Sequence, residues 1–265
     1  MAETSTAAKD DLLTIIAISI VALMLSTMLH EGIGHGLVAM LTGATSGTLT
    51  TVAWSSVYDN KLILAGGTLV NLIAGVLFWL ALRAARNASP QTRFFLLIAM
   101  AFNLFSGTGY FLFSGVSNFG DWAGVIAGLH PYWLWRMLLI LIGVATYYFA
   151  MRIVGSSLVH YLGVPISDSV RFRRLTWIPY FAAIAIEVIA GLRNPLGLTL
   201  VFVSALPATA GGNCGLLFMA KYIPQSIAPG PNSQPVARSY PWLIVAAALA
   251  LVFILVLGPG VQVRR

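Results

Sequence analysis

Apolar stretches of about 20 residues, each long enough to cross the hydrocarbon core of a bilayer, recur along the whole sequence. Only 9% of the residues are charged and 58% are hydrophobic, whereas soluble domains carry about 25% charged residues. An ordinary soluble fold is therefore excluded. Because the polar breaks are short, residues 1–265 are expected to form a single transmembrane domain, an all-α polytopic bundle of about six to seven transmembrane helices.

Hydropathy and helix-breaking residues set the predicted boundaries of the spans. Asp10 and Asp11 are expected to cap the first helix, which should end near Gly43. The sixth span should be interrupted by Pro207 and by the pair Gly211-Gly212. The predicted spans cover about residues 12–40, 62–82, 94–116, 132–154, 177–192, 196–220 and 241–258.

Two segments between spans are predicted not to be helical. Residues 47–56 are rich in threonine, valine and tryptophan, which favour extended structure, so a short strand or hairpin is expected after the first span. Four prolines make the stretch before the last span a non-helical linker. These are Pro224, Pro229, Pro231 and Pro235.

The net charge of +7 comes mainly from basic residues in short loops, where they orient a membrane protein, so nucleic acid is not an expected partner. The loop between spans two and three and the loop between spans four and five should be cytoplasmic. The N-terminus would then be cytoplasmic too, in a multi-pass protein of a bacterial-type plasma membrane. The basic residues in these loops are Arg83, Arg86, Arg93, Arg171, Arg173 and Arg174. Trp122, Trp133, Trp135, Trp177 and Trp242 fall near span ends, as interfacial aromatic residues do.

Residues 30–35, in the first span, read His-Glu-Gly-Ile-Gly-His. In the zinc motif His-Glu-x-x-His, two imidazoles four residues apart share one helix face and the glutamate points at the metal-bound water. Here the second histidine is five residues on, which adds about 100° of rotation on a regular helix. A one-residue π-bulge would restore the alignment, and Gly32 and Gly34 would make it easier.

A zinc site needs a third protein ligand, and Cys214 is the only cysteine, so carboxylates are the candidates. Asp121 follows the third span, which runs in the same direction as the first and so ends at the same membrane face. It could equally be a helix N-cap or a solvated loop residue. Glu187, buried in the fifth span, is the second candidate, although it could pair with a neighbouring helix or stay protonated. His130 and His160 lie at span boundaries and are not expected to be ligands.

The chain resembles the site-2 protease family of intramembrane zinc metalloproteases over about residues 12–125. The His-Glu…His string carries the likeness, together with two further segments. Residues 67–71, Gly-Thr-Leu-Val-Asn, are similar to that family's Gly-Pro-x-x-Asn, and residues 102–104, Phe-Asn-Leu, are similar to the start of its Asn-x-x-Pro segment. Thr68 and Ser106 stand where the family has proline. Phe111 stands where it has its ligand aspartate, so Asp121 follows from topology and not from alignment.

The resemblance implies zinc-dependent cleavage of membrane-embedded proteins or peptides by a core at about residues 12–125, with additional spans at about 131–258. Zn²⁺ would be the cofactor, and Asn71 and Asn103 would contact substrate. Asn71 has an alternative role in helix packing, because Gly67, Asn71 and Gly75 form one stripe. His30, His35 and Asp121 would bind the metal and Glu31 would be the catalytic base.

Two other functions fit the same residues. A transporter or channel would use His30, Glu31, His35 and Glu187 as a proton or ion path, and a broken sixth helix is typical of such proteins. A protease-like fold without activity would bind and regulate another membrane protein. At the simplest, the motif residues would only be hydrogen-bonded inside the bundle.

Overall fold

The computed structural model describes residues 9–195, 197, 199, 201–231 and 233–265. Within these residues, seven helices are long and apolar enough to cross a membrane, which confirms the predicted polytopic helical bundle. They are span 1 (Leu12–Thr42), span 2 (Lys61–Ala84), span 3 (Pro90–Ser117), span 4 (Tyr132–Leu162), span 5 (Ser169–Gly191), span 6 (Val201–Tyr222) and span 7 (Tyr240–Leu257).

Span 3 forms the centre of the bundle and packs against spans 1, 2 and 4. Its side chains Phe94, Phe102 and Phe105 are fully buried. Span 7, in contrast, exposes most of its apolar surface, as a helix that faces lipid should. The polar residues of span 3 therefore lie in the part of the molecule that is best shielded from the membrane.

Three boundaries differ from the predicted ones, because hydropathy understates how far a helix continues through polar residues. Span 4 runs on to Leu162 and ends at Gly163, whose φ of 61° lies in the left-handed region. Span 5 begins at Ser169, where Asp168 caps it by accepting a hydrogen bond from Arg171 N. Arg93 is not a loop residue but lies buried in span 3 and donates to the carbonyl of Tyr161.

Span 6 is irregular, as predicted. It contains two π-helical segments, Val201–Ala205 and Pro207–Gly211, followed by the short helix Gly215–Phe218 and the 3₁₀ turn Met219–Tyr222. The described residues between Tyr222 and span 7 are not helical, which confirms the proline-rich linker.

One end of the bundle, here called the basic end, joins the start of span 1 to the first turn of span 5 and to the linker. The carboxylate of Asp10 pairs with Arg171 at 2.8 Å, and the guanidinium of Arg171 also donates to the carbonyls of Ser233 and Gln234. Asp11 is the N-cap of span 1 and accepts from Thr14 N, so the predicted capping role falls to Asp11 while Asp10 forms the ion pair.

The opposite end, here called the site end, carries a small antiparallel sheet in the order β2-β1-β3. Strand β1 (Ser46–Leu49) and strand β2 (Trp54–Ser55) form the predicted hairpin. Strand β3 (Val261–Arg264) follows span 7 and pairs with the other side of β1. The site end also holds the short helix Asp121–Ile126, which follows span 3.

Candidate metal centre

The two histidines of the His-Glu…His string face each other in the structure. Span 1 is π-helical from Leu29 to Leu37 and α-helical on both sides of this segment, so the predicted irregular turn is confirmed. The rings of His30 and His35 have centroids 4.8 Å apart and lie nearly perpendicular, at 77°. The wider π-helical turn thus compensates for the extra residue between the two histidines, so that their rings meet.

Glycines let this segment pack directly on span 2. A Cβ at Gly34 would lie 2.6 Å from the backbone nitrogen of Gly67, and a Cβ at Gly66 would overlap the carbonyl of Gly34. A Cβ at Gly67 would lie 2.5 Å from Nε2 of both His30 and His35. Position 67 must therefore lack a side chain, because any side chain would occupy the space where the two imidazole nitrogens converge.

Asp121 is the carboxylate that meets the two rings. Its Oδ2 atom lies 3.3 Å from His30 Nε2 and 3.4 Å from His35 Nε2. Gly120, with φ of 83°, is the N-cap of the short helix, so the alternative of Asp121 as an N-cap is wrong. Burial alone would raise the pKa of Asp121, but its interactions with His30 and His35 hold that pKa well below the usual range.

The three side chains could hold a metal ion, since one ligand atom from each lies within 4.8 Å of the others. Ligands about 2.0–2.1 Å from a tetrahedral ion are roughly 3.3 Å apart, close to both distances from Asp121. Within the described residues, the buried atoms His30 Nε2 and Asp121 Oδ2 have no hydrogen-bond partner. Buried polar atoms are rarely left without a partner, and a cation between them would provide one.

The second nitrogen of each ring is held by a protein oxygen. Nδ1 of His35 lies 2.7 Å from the carbonyl oxygen of Ile63, and Nδ1 of His30 lies 2.5 Å from Oδ1 of Asn71. Because both oxygens are acceptors, each Nδ1 carries a proton, and Nε2 of each ring is the atom that would bind a metal ion. Such outer hydrogen bonds fix the orientation and tautomer of metal-binding histidines.

Asn71 and Asn103 form a chain of hydrogen bonds that starts at His30. The amide nitrogen of Asn71 donates to Oδ1 of Asn103 at 2.7 Å and to the carbonyl of Ser26, and the amide nitrogen of Asn103 donates to the carbonyl of Ala99. Both asparagines are fully buried. The structure gives them a role in holding His30, while their contact with substrate stays a prediction.

Glu31 lies beside the three ligands and is buried. Its Oε2 accepts a hydrogen bond of 2.8 Å from the backbone N–H of Trp54 in β2. With His35, Asp121 and Tyr110 it lines a cavity of about 390 Å³, here called the outer cavity. Exposed residues at the rim, among them Asp59 and Phe119, connect this cavity to the surface at the site end.

Tyr110 belongs to the site although no motif pointed to it. Its ring stacks on His30, with centroids 4.9 Å apart and an interplanar angle of 27°. No described residue hydrogen-bonds its hydroxyl, which leaves this donor free beside the cavity. A signal was present in the sequence, because Tyr110 lies seven residues after Asn103 and so shares its helix face.

Glu187 lies apart from the three ligands. Within the described chain its nearest hydrogen-bond donor is the hydroxyl of Thr27, at 3.5 Å, and the metal-binding group does not include it. It lines a smaller, polar inner cavity with Glu31, Asn71 and Asn213. The inner cavity measures about 40 Å³, and a space of about 10–15 Å³ is enough for one water molecule. Water can therefore link Glu187 to Glu31.

No protein-family model, no curated protein and no solved structure matches this chain.

Proposed function

We propose that the protein is an intramembrane zinc metalloprotease that hydrolyses peptide bonds of membrane-embedded proteins or peptides. One observation carries the proposal: a π-helical turn brings His30 and His35 to Asp121, directly beside the buried carboxylate of Glu31. Two histidine nitrogens and one carboxylate oxygen, with a position left for water, are a known ligand set of catalytic zinc. A neighbouring glutamate that binds no metal is the general base such sites use.

Zinc at this position would lower the pKa of a water molecule and polarise the scissile carbonyl. Glu31 takes the proton from the attacking water and passes it to the leaving amine. The N–H of Trp54 holds Oε2 of Glu31, so that Oε1 is the atom free for proton transfer. Tyr110 can donate its free hydroxyl to the carbonyl oxygen as negative charge develops there.

The sheet supplies a place for an extended substrate. Strand β1 is already paired with β2 on one side and with β3 on the other. A substrate strand could therefore join the 47–56 segment only at the outer edge of β2. The N–H of Trp54 lies on that edge and is already bonded to Glu31, so a substrate strand would have to use the remaining backbone groups of β2 there. A substrate strand paired with β2 would therefore place its backbone beside the catalytic base, after unwinding from the helix that hides its peptide bonds.

A proton or ion path is the second candidate, because the inner cavity joins Glu31 to Glu187 beside the irregular span 6. Purified full-length protein in proteoliposomes distinguishes the two functions. The protease should contain one zinc per chain and cut single-span model peptides, and a Glu31→Gln variant should keep the zinc and lose the cutting. A transporter would move protons or cations without stoichiometric zinc. Zinc without cleavage of any peptide would favour the inactive regulatory protein.

A further inference from the structure

A third cavity, of about 510 Å³, lies on the lipid-facing side of the bundle between span 4, span 2 and the linker. It is called the lipid-facing groove here. Its apolar wall consists of Trp79, Phe149, Ile153 and Ile227. Phe149 is 60% exposed and Ile153 37%. The groove is thus open to the surroundings of the helix bundle and lies outside the candidate metal centre.

The polarity of the groove changes along span 4. Phe149 and Ile153 lie toward the site end, while Ser156 and the exposed His160 lie toward the basic end. Trp133 and Trp135 mark the membrane interface at the site end. A hydrocarbon core of about 20 helical residues then ends near residue 155. On this count the apolar part of the groove would lie at the depth of acyl chains, and the polar part would lie at the depth of lipid headgroups.

Arg152 stands where the two parts meet. Its guanidinium donates to the hydroxyl of Tyr148 at 2.9 Å, and no described carboxylate lies within ion-pair distance of it. Arg83, whose guanidinium lies 5.0 Å from the ring of Trp79, likewise forms no ion pair with a described residue. A cation near the hydrocarbon boundary is costly unless an anion accompanies it.

We propose that this groove binds one anionic phospholipid. The phosphate pairs with the guanidinium of Arg152, which presents a planar fork of donors suited to phosphate oxygens. Arg83, whose guanidinium lies over Trp79 of the groove wall, adds positive charge nearby, which favours an anionic over a zwitterionic headgroup. An acyl chain lies along Phe149 and Ile153, against Trp79. The site does not depend on the metal centre or on the proposed proteolysis.

Lipid binding by the purified full-length protein tests this, with native mass spectrometry after delipidation and addition of dioleoylphosphatidylglycerol. Wild type should retain one tightly bound lipid, and Arg152→Gln should bind it about tenfold more weakly. Ile153→Trp, which leaves Arg152 in place and fills the groove, should also lose the lipid. Arg173→Gln is the matched control, because Arg173 is an exposed arginine that also lies over a tryptophan, Trp177, at the basic end. It should bind like wild type.

Three outcomes would overturn the proposal. Equal competition by dioleoylphosphatidylcholine with the anionic lipid would remove the role of headgroup charge. Soluble glycerol phosphate at millimolar concentration would displace the lipid if the site recognised phosphate alone. Equal loss of binding in Arg152→Gln and Arg173→Gln would show a general surface-charge effect. Size-exclusion chromatography of each variant shows that the comparison is between folded proteins.

Discussion

The backbone N–H of Trp54 donates a 2.8 Å hydrogen bond to the carboxylate of Glu31. This bond joins the sheet at the site end to the π-helical turn of span 1, and it leaves one oxygen of Glu31 free beside the metal-binding group. The edge of β2 and the candidate base are therefore held in one fixed geometry.

Glu31→Gln should abolish cleavage and leave zinc bound. Glutamine keeps the size of the side chain and an oxygen that can accept from Trp54 N, but it cannot take a proton. We expect a fall in kcat of at least about 10²-fold, as for the loss of a general base. Zinc content by elemental mass spectrometry and cleavage of a reconstituted peptide are the measurements. Asp59→Asn, which removes an exposed carboxylate at the rim, is the control and should stay active.

Gly67→Ala should weaken zinc binding, because the added Cβ would lie 2.5 Å from both Nε2 atoms. Gly75→Ala is the matched control on the same stripe of span 2, where the new Cβ would meet the side chain and the backbone nitrogen of Leu104 and neither histidine. If the stripe served only helix packing, both variants would lose stability and neither would lose zinc selectively. Competition with a zinc chelator, together with thermal unfolding, separates the two results.

Asn71→Leu should reduce zinc affinity about 10- to 100-fold, the usual cost of removing the partner of a metal-binding histidine. The physical reason is that Nδ1 of His30 loses its acceptor and the ring loses its fixed orientation. Unchanged zinc affinity with a raised KM would instead identify Asn71 as a substrate contact. Asn103→Leu is a graded control, because it removes the next residue in the series of hydrogen bonds that starts at His30. It should lower zinc affinity less than Asn71→Leu.

Tyr110→Phe should lower kcat by about 10²- to 10³-fold, if its hydroxyl stabilises the developing negative charge. Zinc content should not change, because the ring that stacks on His30 remains. Tyr58→Phe, at an exposed tyrosine of the site end, should behave like wild type. Wild-type kcat in Tyr110→Phe would assign this residue to packing alone.

The local geometry of the first span could be predicted from the sequence, because the motif spacing demands an irregular turn and Gly32 and Gly34 permit one. Asp121 was found through topology, since spans that run in the same direction end at the same face. Both inferences needed only helix periodicity and the order of the spans.

Other features depend on contacts between distant segments, which periodicity does not reveal. The sequence places Gly67 in a helix-packing stripe and in a family-like segment, whereas its nearest neighbours in the structure are two histidine rings of span 1. Strand β3 was missed because it is short and its partner in β1 lies more than 200 residues away in the sequence. The ends of spans 4 and 5 were misplaced because helix caps, and not hydropathy, determine them.

The pairing of β3 with β1 has a consequence for biosynthesis. Strand β3 emerges from the ribosome only after all seven spans, and a two-stranded hairpin without it is marginally stable in isolation. The segment that holds Glu31 through Trp54 therefore gains its full support only after span 7 and strand β3 have been synthesised. A nascent chain still within the insertion machinery would carry an incompletely ordered centre, and this order of events would keep it inert until assembly is finished.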